Sequence, residues 1–164
     1  MLGVSTHFMS EKKNSLRLIG RREFVDFPLL EVFNVEAKID TGAYTSSIHC
    51  SEISVVYEDT KPVLFFVVFC DNQNLKKQRF EEFSLKKIKN SFGEEEERYI
   101  IKTLIKIGRK KIWSTISLSD RANMRYDVLI GRRVLKGKFI IDANQIHTGG
   151  KKVTKKVIKQ IQIK

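Results

Sequence analysis

Hydrophobic residues in this chain fall in short clusters, not in helix-length amphipathic runs. Residues 16–20, 35–39 and 48–57 are brief segments rich in β-branched side chains, the composition of strands. Residues 63–70 read Val-Leu-Phe-Phe-Val-Val-Phe-Cys, an apolar run with the length and aromatic content of a buried strand. Residues 99–107 and 111–118 alternate apolar and polar positions on either side of Gly108-Arg109-Lys110, which predicts a hairpin. Two more short strands are expected at 128–130 and 138–142. The insert between them, 131–137, has room for a short helix near residues 132–136, closed by a glycine. Residues 72–98 are the most polar stretch, and Glu94-Glu95-Glu96-Glu97 reads as a solvated loop or hairpin tip. After Gly149-Gly150, lysines alternate with valine and isoleucine, as in an edge strand kept soluble by lysine or a disordered basic arm. Short strands with Gly and Asx turns between them predict an all-β fold, a compact barrel or sandwich and not βαβ units.

At 164 residues the chain fits one domain, with 41% hydrophobic and 30% charged residues in the globular range. The expected division is an N-terminal extension (1–15), the folded domain (16–146) and a basic tail (147–164). No apolar run approaches the roughly 18–20 residues that span a bilayer. Residues 1–16 lack a basic segment followed by an apolar one, so a cytoplasmic location is expected and no membrane partner. Cys50 and Cys70 are too few for a disulfide scaffold. There is no HExxH, and His7, His49 and His147 lack ligand spacing, so neither metal nor cofactor is expected. The formal charge is +12, of which the six lysines of residues 151–164 supply half. Such a balance attracts polyanions. No recognition-helix, finger or aromatic ribonucleoprotein motif accompanies it, and the tail lacks stacking aromatics, so nucleic acid is not expected as a partner.

The segment that carries chemistry is Ala37-Lys38-Ile39-Asp40-Thr41-Gly42-Ala43, an apolar strand ending in Asp-Thr-Gly-Ala. A carboxylate at a strand end can project into a partly dry cleft, and the glycine lets backbone amides approach it. The threonine hydroxyl can tie two halves of a site together. Alone, Asp-Thr-Gly is as readily an ordinary turn. A second element stands about 90 residues downstream, Val128-Leu129-Ile130-Gly131-Arg132, an apolar strand running into Gly-Arg and a short helix.

Together these two elements resemble the hallmarks of retropepsins. Over roughly residues 18–145 the chain is similar to a bacterial retropepsin-like family historically called "ATP-dependent zinc protease". Carriers of the likeness include Ile19-Gly20-Arg21-Arg22-Glu23, the Asp40 segment with Thr45-Ser46-Ser47-Ile48-His49, and Glu97-Arg98-Tyr99-Ile100-Ile101. Further on come Ser119-Asp120-Arg121 with Met124, Leu129-Ile130-Gly131-Arg132, and Leu135-Lys136-Gly137-Lys138-Phe139 with Ile141-Asp142. The older name has no support in the residues. The nearest phosphate-loop candidate, Gly131 to Phe139, has one residue too many between its glycines and Phe139 in place of Ser or Thr. Tyr44 also departs from the small or basic residue that relatives tend to carry there.

The resemblance implies a retropepsin-like acid-protease barrel and an aspartic endopeptidase, with Asp40, Thr41 and Gly42 as catalytic residues. Ala43, Tyr44 and Ser46 would line the substrate groove. Ile130, Gly131 and Arg132 would support the site. Asp142, with no Thr-Gly or Ser-Gly after it, reads as a structural partner for an arginine such as Arg132. Only one Asp-Thr-Gly is present, whereas the chemistry needs two carboxylates, so a homodimer is expected. The implied substrate is a peptide or protein, an acidic one among the candidates. The rival reading is a non-catalytic peptide-binding module on the same fold.

Overall fold

The computed structural model describes residues 15–69, 74–89 and 92–152. Its strands are β1 (Arg17–Gly20), β2 (Arg22–Phe27), β3 (Val32–Ile39), β4 (Ser46–Glu58), β5 (Lys61–Phe69) and β6 (Leu75–Phe80). They continue as β7 (Phe83–Lys89), β8 (Glu95–Ile107), β9 (Lys110–Ser119), β10 (Val128–Ile130), β11 (Phe139–Asp142) and β12 (Lys151–Lys152). A 3-10 turn, Pro28–Leu30, and one short helix, α1 (Arg132–Leu135), complete the described elements.

The short strand β10 pairs in parallel with β3 on one edge and antiparallel with β4 on the other. The path β10–β3–β2–β8–β9–β4 therefore returns to its start, and the sheet closes into a barrel. β5 and β6 extend outward from the long β4, and β7 pairs along the first half of β8. A separate small sheet, β11–β1–β12, joins the two ends of the described chain. The expected all-β barrel with a short helix after Gly131 is what the chain forms.

Strand periodicity explains the filling. In β8, Ile101, Thr103, Ile105 and Ile107 are buried while Lys102 stands exposed between them. In β9, Ile112, Ser114 and Ile116 point inward and Lys111 and Trp113 outward. Phe27, Leu30, Leu64, Phe66, Leu118 and Ile130 pack with them in one contiguous core. The predicted hairpin at 99–118 is present, turning at Gly108 and Arg109, with Leu104 opposite Trp113 and Ile105 opposite Ile112.

Within the polar stretch 72–98, the described residues form more strand than their composition predicts. β6 and β7 lie there, and Glu95, Glu96 and Glu97 belong to β8, not to a loop tip. They pair with Lys89, Ile88 and Lys87 of β7, so opposite charges on facing strands make a strand of a sequence that looks solvated. Cys70, expected to end the apolar strand, lies outside the described residues, as do residues 1–14 and 153–164 of the expected extension and tail.

The start of that tail is tied into the fold by a buried carboxylate. Glu23 is only 1% exposed. It accepts hydrogen bonds from the Gly20 amide (2.7 Å), the Thr148 amide (2.9 Å), the Thr148 hydroxyl (2.6 Å) and the Gly149 amide (3.0 Å). Beside it Gly20 leaves no room for a side chain, because a Cβ there would overlap the Gln145 carbonyl. Burial pushes the Glu23 carboxyl up, but these hydrogen bonds outweigh it and hold the group below its ordinary value. A depressed folded-state value means that the contribution to stability is complete above the unfolded carboxylate range. It is lost as pH falls through the folded value. Glu23→Gln should therefore destabilise the protein by about 2–3 kcal/mol at neutral pH. The difference from wild type should shrink in acid, as read by denaturant melts across pH.

Candidate active site

Asp40 directly follows β3. Strand alternation sends Ala37 and Ile39 into the core and leaves Glu36, Lys38 and Asp40 on the outer side. The Asp40 amide donates to the Ile130 carbonyl at 2.9 Å, carrying the β3–β10 ladder one residue further. The chain then turns so that the Gly42 amide (3.0 Å) and the Ala43 amide (3.3 Å) both donate to Asp40 Oδ1. Oδ2 lies 3.9 Å from Lys38 Nζ, and the side chain keeps 25% of its surface exposed. One carboxylate oxygen is thus fixed by backbone, while the group as a whole remains open to a ligand.

The loop after Asp40 is held by the start of α1. Arg132 Nη1 donates to the Thr41 carbonyl (2.8 Å) and the Gly42 carbonyl (2.9 Å). The Arg132 amide donates to the Ala43 carbonyl (2.8 Å) and the Arg133 amide to the Tyr44 carbonyl (3.1 Å). Four successive carbonyls are satisfied by two residues of α1, in addition to the two amides held by the Asp40 carboxylate. The Arg132 guanidinium also sits 6.0 Å from the centroid of the Tyr44 ring, which is largely exposed. Gly131 permits this approach, since a Cβ there would lie 2.9 Å from Ala43 O, Thr45 C and Tyr44 O.

Of the residues expected from sequence, Asp40, Thr41, Gly42, Ala43 and Tyr44 form one loop, with Ile130, Gly131 and Arg132 packed behind it. Ser46, expected in the substrate groove, is instead buried. Its hydroxyl accepts from the Gly131 amide at 3.0 Å, so it braces the site from within. Nor does Asp142 take the role of Arg132 partner expected for it. It accepts from the Asn144 amide and the Gln145 side chain, while the Arg132 guanidinium serves the loop carbonyls.

Two contributors were missed. Lys38 reads as an ordinary strand lysine until alternation places it beside Asp40. Arg121 is buried, donating to the Tyr126 carbonyl (2.9 Å) and the Ser47 hydroxyl (3.4 Å). Burial pulls its pKa below the usual arginine value, as does the nearby Arg98, while the charges of Asp127 and Asp40 oppose the shift. The only signal for Arg121 in the sequence was its place in the Ser119-Asp120-Arg121 block. The adjacent His49 and Cys50 are buried and engaged locally. His49 Nδ1 accepts from the Arg121 amide (2.8 Å), and burial pushes the Cys50 thiol up to about 12.

A barrel closed by β10, with Asp-Thr-Gly at the end of β3 and Gly-Arg behind it, defines a retropepsin-like protein. The family model for the RimB-like group, retropepsin-like aspartic endopeptidase RimB, matches residues 18–152, and the chain belongs to that family. Among curated proteins, it is 33% identical over 130 residues to a probable alpha-L-glutamate ligase of Desulfotalea psychrophila, covering 77% of this chain and 28% of that one. A protein of the same name from Shewanella pealeana is 33% identical over 139 residues, 82% of this chain and 30% of the relative. The chain thus spans less than a third of the length of these relatives. A crystal structure of a Legionella pneumophila protein of unknown function (DUF785) superposes with a TM-score of 0.66 at 23% identity, covering 81% of this chain and 98% of the other. That likeness shows the fold.

The glycine behind the loop offers a direct test. Gly131→Ala places a methyl against three backbone atoms that can move only by displacing the Asp40 loop. The expected loss is about 1–3 kcal/mol, measured by chemical denaturation, with Gly137→Ala as a comparison at a glycine whose added Cβ meets nothing within 4 Å. Gly137 has φ of +73°, so its cost is backbone strain of about 1 kcal/mol and leaves the loop in place.

Proposed function

We propose that this chain is an aspartic-type endopeptidase whose active unit is a two-fold pair of chains, each contributing Asp40. The observation that carries the reading is the Asp40 carboxylate itself, pinned through Oδ1 by two backbone amides yet still exposed at the end of β3. The chain holds a single Asp-Thr-Gly, and pairing two copies supplies the second carboxylate most economically. Like charges so close cannot both ionise, and aspartic proteases are the standard example of the shared proton that results. The ionised member takes a proton from water as it attacks the peptide carbonyl, and the protonated member donates to the carbonyl oxygen.

The substrate that fits best is an acidic peptide, a glutamate-rich tail in particular. Lys38 stands beside the Asp40 carboxylate and the Arg132 guanidinium against the loop that follows it, and the chain as a whole carries +12. The family's relatives named as probable alpha-L-glutamate ligases agree with a glutamate substrate. A location in the cytoplasm goes with this proposal.

The test is hydrolysis of a glutamate-tailed peptide, followed by mass spectrometry. Asp40→Asn keeps the shape of the side chain and removes the ionisable oxygen, so turnover should fall by about 10²–10⁴-fold while the melting curve stays cooperative. Asp127→Asn, at an exposed carboxylate outside the Asp40 loop, should retain most activity. Undiminished hydrolysis by Asp40→Asn would remove Asp40 from the mechanism. Tight peptide binding without hydrolysis by the wild type would favour the binding-module reading.

A further inference from the structure

Between Glu97 and Asp120 the chain carries six basic residues and no acid. The segment forms the β8–β9 hairpin, which lies across the ring from β10. Its outer face repeats in rows, with Lys102 opposite Thr115, Leu104 opposite Trp113 and Lys106 opposite Lys111. Trp113, the chain's only tryptophan, is 60% exposed in the middle of this face. Lys102 Nζ stands 5.9 Å from its ring centroid. Asp26 engages Lys106 at 2.7 Å, so the charge offered outward rests chiefly on Lys102 and Lys111, with Arg109 and Lys110 at the turn.

An indole left this open on a sheet loses the burial that ordinarily stabilises it. Lysines stand above and below it along the strands, with the Lys102 ammonium over the indole ring, so the aromatic is bracketed by positive charge. That is the combination that binds single-stranded nucleic acid, in which bases stack on an aromatic and phosphates meet the flanking cations. An acidic polypeptide would satisfy the lysines and leave the indole without a flat partner. We propose that the outer face of the β8–β9 hairpin binds single-stranded nucleic acid, with Trp113 as the stacking platform and Lys102 and Lys111 as phosphate contacts. The proposal is independent of the reading of Asp40. It also reverses the expectation drawn from the basic tail, because the stacking aromatic lies on the barrel.

Since Trp113 is the sole tryptophan, its fluorescence reports this face and no other part of the chain. A short oligouridylate titrated into the 164-residue protein should quench it, and the affinity should fall as potassium chloride is raised. In Lys102→Gln/Lys111→Gln the slope of log affinity against log salt should flatten by about 0.7 for each lysine removed. Trp113→Ala, read by anisotropy of a labelled oligouridylate, should bind about tenfold more weakly, and Trp113→Phe should recover most of that loss. All these positions are exposed, so circular dichroism and melting should match wild type. Absence of quenching by oligouridylate would overturn the proposal. So would quenching by poly-L-glutamate at equal or lower concentration, which would make the face an acidic-polypeptide surface. Oligonucleotide binding unchanged in Trp113→Ala would place it elsewhere on the chain and equally defeat the assignment.

Discussion

Main-chain hydrogen bonding on both edges of β10 closes the barrel, and that closure is what positions Asp40. A strand of three residues makes few bonds of its own, but here each edge is used, by β3 on one side and by β4 on the other. The Ile130 carbonyl takes the Asp40 amide, so the residue that ends β3 is held by the residue that ends β10. Gly131 follows at once and lets α1 start against the loop backbone, where a Cβ would collide. Ser46, the first residue of β4, fills the third side by accepting the Gly131 amide. Three chain segments distant in sequence meet within a few residues. Because protein interiors are close-packed, a disturbance at any of them reaches the carboxylate.

Two carboxylates show how environment divides structural from chemical roles. Glu23 is buried and has both oxygens committed to the amides and hydroxyl of residues 20, 148 and 149. It is a clamp between the ends of the fold, and its saturation with donors leaves nothing to react. Asp40 uses one oxygen in a similar way but presents a partly exposed group, with a lysine rather than an amide beside the other oxygen. Full satisfaction suits a clamp, and incomplete satisfaction suits a group that must meet a substrate.

Much of this was legible in the sequence, and the omissions share a cause. The apolar strands and the 99–118 hairpin follow from residues whose burial alone dictates their state. The Asp40 loop and the Gly-Arg element behind it were recognisable because glycine is demanded there by close approach. β2, β6 and β7 escaped notice because their stabilisation is pairwise. Glu23 and Asp26 interrupt β2, and the lysines of β7 acquire meaning only opposite Glu95 and Glu97. Ser46 was misplaced for the same reason. A serine near an active-site turn reads as a groove residue, and only the backbone amide of Gly131, 85 positions away, shows that it faces inward. Strand periodicity reveals which face a side chain takes once the strand is known, but not which distant partner waits there.

The cations near Asp40 add a constraint on any pairing of two such sites. Lys38 approaches the carboxylate from the strand, and Asp40 is among the charges that act on the buried Arg121. A guanidinium held out of water is costly unless bonded, and Arg121 meets part of that cost through the Tyr126 carbonyl and Ser47 hydroxyl. The remaining attraction is to Asp40 and Asp127. In the proposed two-fold pair each chain would bring this arrangement with it, so two carboxylates that repel one another would meet in surroundings that are net positive. The field that eases their approach also draws an acidic chain toward the same place. Carboxylate pairing and preference for an acidic substrate would then share a contribution from the same cations, Lys38 two residues before Asp40 and the buried Arg121.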